Sequence, residues 1–184
     1  PSAFDGDLVF YKARFGASSE RALWALGALE NAKAFGHKDR LLLVELVAQN
    51  WDDVDPLYRT ALTPRVIRLI PSALSMTRTS LATLAPLGAD QVMIQRRINR
   101  IKELEAASSA AMKLPITALR APVLMEIAET YLDLARGIAT IPDPKGLNEA
   151  ELAELRNTLV SVTLPFEEKG QDLRRKAFEV ASGG

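Results

Sequence analysis

Apolar positions along the chain recur every three or four residues, and few runs alternate with the period of two that a half-buried strand requires. An all-α chain follows from that spacing. The first helical stretch runs from Ser18 to Ala34, with Leu23, Leu26, Gly27 and Glu30 at turn spacing and "FGHKD" ending it near Gly36; a second runs from Asp39 to Gln49. In "NWDDVDP", Asp55 can cap a helix whose first residue is Pro56, where a missing amide hydrogen costs nothing, and Thr63 with Pro64 repeats the signal. Residues 56 to 87 therefore read as several short helices or one kinked helix, broken again at Pro71 and at "PLGAD".

The longest uninterrupted pattern spans Asp90 to Met112. At 100° per residue, Met93, Ile94, Ile98, Ile101, Leu104, Ala111 and Met112 share one face, with Arg96, Arg100 and Glu103 opposite. Arg97 falls inside the apolar stripe. Its stem can lie along the core with its head in solvent, or it can pair with a carboxylate on a neighbouring helix. The next helix, Pro122 to Ile141, carries the cleanest stripe: Leu124, Ile127, Ala128, Tyr131, Leu134, Ala135 and Ile138, with Glu126, Glu129, Asp133 and Thr140 turned away. Met125 and Leu132 lie on its flank, so this helix is expected to touch neighbours on more than one side.

Between Ala139 and Leu152 the stretch "ATIPDPKGLNEAEL" interrupts the pattern. Pro142 and Pro144 stop one helix, Gly146 permits a reversal, Lys145 is expected to be solvated, and Asn148 with Glu151 forms a capping box bracketed by Leu147 and Leu152. The last helix carries Leu152, Leu155, Leu159 and Val162, meets Pro165, and resumes through Leu173, Ala177 and Val180.

Composition narrows the function. With 184 residues, 48% hydrophobic and 25% charged, residues 1–184 read as one ordinary globular domain. Basic and acidic residues balance at 23 each, so the basic excess that phosphate neutralisation demands is missing and nucleic acid is not an expected partner. Absence of cysteine removes disulfides, thiolate metal sites and a cysteine nucleophile. No stretch reaches the ~18 apolar residues of a membrane span, so membrane insertion is not expected. The start at Pro1, without methionine or leader, suggests a fragment or processed product, and cytoplasm and periplasm both stay open.

Spacings that would carry chemistry are missing. No Walker-type or dinucleotide-binding glycine motif and no G-x-S-x-G elbow occurs, and no cofactor is implied. The single histidine, His37, sits among Gly36, Lys38, Asp39 and Arg40, which reads as a solvated turn; one histidine cannot supply a helical di-iron site. Asp52, Asp53 and Asp55 lack the calcium-loop spacing and suit a helix start. Glu126 with Glu129, and Glu149 with Glu151 and Glu154, read as solvated helical faces rather than carboxylate pairs held across a cleft.

Leu124, Ile127, Ala128 and Tyr131 have the spacing of the first helix of a tetratricopeptide repeat, with Ala128 at the small-residue position. Leu23, Leu26 and Gly27 match it too, although Glu30 stands where the aromatic belongs. From Asp90 to Ala181 the order of "QRRINRIKELEAA", "IPDPKGLNEAEL" and "LPFEEKG" resembles long tetratricopeptide-type proteins of gliding and predatory bacteria, with Gly170 where that family favours Ala. The resemblance implies a right-handed superhelix of antiparallel helix pairs with an irregular middle. It further implies a non-enzymatic scaffold that binds another protein, often within envelope or motility assemblies. Candidate partner-binding residues are Arg96 and Arg100 on the long helix and Asp133 with Arg136 on the repeat-like helix, the last two also spaced for an intrahelical pair. Self-association, as a capping or assembling piece of a longer array, is the alternative.

Overall fold

The computed structural model describes residues 6–82 and 91–183. Among these the chain is all-helical: α1 Gly6–Phe15, α2 Ser18–Leu29, a 3-10 turn Ala32–Ala34, α3 His37–Gln49, α4 Pro56–Ala82, α5 Gln91–Met112, α6 Thr117–Ala139 and α7 Glu149–Ser182. The expected break at "PLGAD" and the Met93 side chain lie outside what is described.

Burial explains the layout. α3 buries Arg40, Leu41, Leu43, Val44, Leu46 and Val47, too many sides for a surface helix, and it packs against α2, α4 and α5. α6 touches α4 and α5 and lies along α7, which meets the expectation of several neighbours. α1 closes one edge on α2.

The new helix start expected at Pro64 and the breaks expected at Pro71 and Pro165 do not occur. α4 is one helix through Pro64 and Pro71, and α7 is one helix through Pro165. An interior proline costs about 3 kcal/mol, but α4 buries Val66, Leu69, Ile70, Ala73, Leu74 and Leu81. Each large apolar side chain among them contributes about 1.5–3 kcal/mol. Burial wins. In α7, Pro165 and Ser161, whose carbonyl the proline leaves free, are both exposed, so water can satisfy the lost partner. α6 starts at Thr117, ahead of Pro122, because Leu119 and Val123 are already fully buried.

The connector before α7 forms as its residues demand. Gly146 has φ 95°, the left-handed region open to glycine. The Asn148 side chain accepts from the Glu151 amide at 3.0 Å while the Asn148 amide donates to Glu151 Oε2 at 2.9 Å. Lys145 is exposed. At the start of α4, Asp55 Oδ1 accepts from the Leu57 amide at 2.8 Å, the capping role expected of it.

The two repeat-like sites part company. At Ala128, fully buried, α7 comes so close that a Cβ added to Gly170 would lie 2.7 Å from Leu132 Cγ and 3.2 Å from the Ala128 carbonyl oxygen. Glycine at 170 lets the two helices touch. At Gly27 an added Cβ meets nothing within 4 Å, so no helix exploits that small residue. Glu30, in the aromatic's place, ties α2 to α4 through Arg65 at 2.8 Å.

Candidate functional site

The most elaborate polar arrangement lies where α4, α5, α6 and α7 converge. Glu126, Glu129 and Asp133 occupy one face of α6 by their three- and four-residue spacing. Their side chains are only 18–22% exposed, so the expected solvated face is a covered one. Arg78 of α4 donates through Nε to Glu126 at 3.0 Å and through Nη1 to Asp133 at 2.9 Å. Arg174 of α7 donates to Glu129. Arg136 forms an ion pair with the other Asp133 oxygen at 2.9 Å, the intrahelical pair its spacing allowed.

Electrostatics follow from this packing. Burial alone would lower the Arg78 pKa, but its hydrogen bonds to Asp133 and Glu126 outweigh that and hold it above the ordinary arginine value. Arg97 of α5, half-buried, has its pKa lowered by burial, with the Asp133 charge working in the opposite direction. Its sequence position inside an apolar stripe thus brings it to the same cavity as Asp133 of a neighbouring helix.

These groups border a cavity of about 140 Å³. Leu81, Ile101, Leu134 and Gly137 form apolar wall, and Arg78, Arg97, Thr130 and Asp133 the polar part. The four sequence candidates do not gather there. Asp133 lines the cavity and Arg136 touches it through Asp133. Arg96 is exposed beside Val92, Gln95 and Asn99 on the outer side of α5. Arg100 is half-buried toward the first turn of α3, where its charge acts on His37.

His37 is not the solvated turn residue expected. It opens α3, and its Nε2 is buried with no hydrogen-bond partner among the described residues. Burial is the main reason its pKa falls below the ordinary value, followed by Arg100; Glu103 opposes them.

Sequence reading missed the residues that join helices. Arg78 and Arg174 carry no local signal, because their partners lie 48, 55 and 45 positions away. Arg40 is 7% exposed and donates to the carbonyl oxygens of Phe35 and Ala32 and the hydroxyls of Thr77 and Ser80, pinning α3 to α4. Lys169 of α7 donates to Glu105 of α5 and to the Tyr131 hydroxyl of α6, both at 2.7 Å. Burial raises the Tyr131 pKa further than its hydrogen bond from Lys169 lowers it.

Among the described residues, no group of three or more His, Asp or Glu is placed to hold a metal ion, and no helix is long and apolar enough to cross a membrane. No family model, curated protein or solved structure matches the chain, so its resemblance to the tetratricopeptide repeat rests on its own residues.

Proposed function

We propose that this chain is a non-enzymatic scaffold, built as a tetratricopeptide-like stack of helix pairs, that receives a segment of another protein across α4, α5 and α6. The cavity between those helices carries the reading. Small-molecule sites generally enclose ~300–1,000 Å³, whereas this one, at about 140 Å³, has room for little more than one side chain. An apolar notch rimmed by charged groups suits a single anchoring residue, the kind of contact on which protein interfaces concentrate their energy.

Nucleic acid is a poor occupant. The arginines Arg78, Arg97, Arg136 and Arg174 are set among the carboxylates of Glu126, Glu129 and Asp133, leaving no cationic stripe for a phosphate backbone. Arg96, exposed on the outer side of α5, adjoins Arg97 of the cavity in sequence and offers a reporter position next to it.

A photo-crosslinking amino acid in place of Arg96, compared with one in place of exposed Lys113, tests this in native extract. The Arg96 position is expected to give one defined protein adduct that Arg97→Glu abolishes. Purified with that partner, Asp133→Asn should raise Kd roughly tenfold or more. Identical adducts from both positions, or none from Arg96, would sink the reading.

A further inference from the structure

The outer side of α7 carries a pattern that the scaffold reading does not use. Leu164 is 50% exposed, Phe178 59% and Val160 64%, while Thr163, Gly170 and Ala177, about 100° around the same helix, are buried. At 100° per residue Val160, Leu164, Gln171 and Phe178 fall within roughly 40° of one another, with Glu168 and Arg175 bordering that stripe on one flank. All six are exposed.

The charges along α7 are divided by position. Over the span that a two-fold axis at Gln171 would pair, residues 160 to 168 contain two glutamates and no basic residue, whereas 169 to 182 contain four basic and two acidic residues. A parallel neighbour of the same sequence would set like against like. An antiparallel one reverses this, and the stripe is complementary to itself about Gln171. Seven residues before Gln171 stands Leu164 and seven after stands Phe178, so a two-fold axis there places the Leu164 of each copy on the Phe178 of the other. Glu168 and Arg175, three before and four after, meet on the same flank across the axis.

We propose that α7 is an isologous dimer interface, two copies of this chain packing antiparallel through this stripe with Gln171 at the two-fold axis. The occupant is a second copy because the pattern of apolar and charged positions is satisfied by its own inversion. Leu164 and Phe178 form the apolar centre, and Glu168 with Arg175 set direction and register, as flanking charges do in paired helices. Arg175 pairs within its own helix with Asp172 and, at 4.0 Å, Glu179. Such exposed pairs are worth little, so exchange for a partner on the other copy opposes dimerisation only slightly. This face is separate from the α4–α5–α6 cavity, and its failure would leave the scaffold reading untouched.

Sedimentation of the purified chain between about 1 and 200 μM tests the proposal, a range that brackets micromolar association. A concentration-dependent dimer is expected. Glu168→Arg and Arg175→Glu should each weaken it roughly tenfold or more through like-charge apposition, with unchanged circular dichroism, and an equimolar mixture of the two variants should recover a heterodimer. Because the chain has no cysteine, Gln171→Cys should oxidise to a disulfide-linked dimer, and Lys145→Cys, far from the axis, should not. A monomer throughout the range overturns the proposal and leaves the stripe to a different protein. A dimer indifferent to both charge reversals, or cross-linked equally well from residue 145, overturns it too.

Discussion

α6 and the first half of α7 start from similar material and end in opposite environments. Each alternates leucine or isoleucine with carboxylates at helical spacing: Glu126, Glu129 and Asp133 in one, Glu149, Glu151 and Glu154 in the other. The α6 carboxylates are covered and joined to arginines of α4, α6 and α7. Those of α7 are exposed, and Glu151 serves only the helix cap. A helical wheel ranks the faces of one helix by polarity. Whether another helix stands opposite the polar face is decided by the rest of the chain.

The largest test of this contrast compares burial. Ile138 of α6 is fully buried and Val160 of α7 is 64% exposed. Ile138→Ala should cost about 2–5 kcal/mol, whereas Val160→Ala in the monomer should stay within about 0.5 kcal/mol, both read from urea midpoints. Equal losses would mean that the outer side of α7 is covered in the monomer.

Gly170 sharpens the contact between the two helices. Gly170→Leu should destabilise by about 1–3 kcal/mol through overpacking against Leu132 and the Ala128 carbonyl, although leucine is the better helix former by nearly 1 kcal/mol. A net gain in stability would show that α6 and α7 can separate freely.

The charge network comes next. Arg78→Ala removes the cation that serves both Glu126 and Asp133, groups that are about four-fifths covered, and should cost about 2 kcal/mol. Glu154→Ala, on the exposed counterpart, should change stability by less than about 0.5 kcal/mol. Asn148→Ala, which deletes the capping box, should fall between them at about 1 kcal/mol by the same urea measurement.

The smallest effect is one of slope. Burial, then Arg100, disfavour the protonated form of His37, with Glu103 of α5 opposing and Lys38 and Arg40 of its own helix adding to the repulsion. The folded state therefore binds this proton less readily than the unfolded chain, whose pKa lies near 6.5. The stability it contributes is complete above about pH 6.5 and is lost as the pH falls through that value toward the lower folded pKa. His37→Gln should make the loss of stability between about pH 7.5 and about pH 5.5 shallower. An unaltered slope would mean that His37 titrates as it does in the unfolded chain.

Legibility followed the range of each interaction. The capping box at Asn148 and Glu151, the cap at Asp55 and the turn at Gly146 were readable because donor, acceptor and backbone conformation lie within a few residues. Arg97 was noticed because a charge interrupted a local apolar pattern. Its carboxylate neighbour Asp133 could be assigned only once α5 and α6 were placed side by side. The prolines misled in a regular way. Pro64 is a local signal to start a helix and Pro71 and Pro165 are local signals to stop one; burial along α4 outweighs the first two, and at Pro165 solvent can take the carbonyl left free.

By itself, then, the sequence determined that the described chain is helical, where several helices begin, and that no cysteine chemistry is available, since propensity, capping and composition act within a turn or two. Tertiary structure alone decided which polar faces are covered, which glycine marks a close approach, and which arginines meet which carboxylates. Those outcomes depend on contacts between residues 38 to 64 positions apart, and no local pattern encodes what will stand on the far side of a helix.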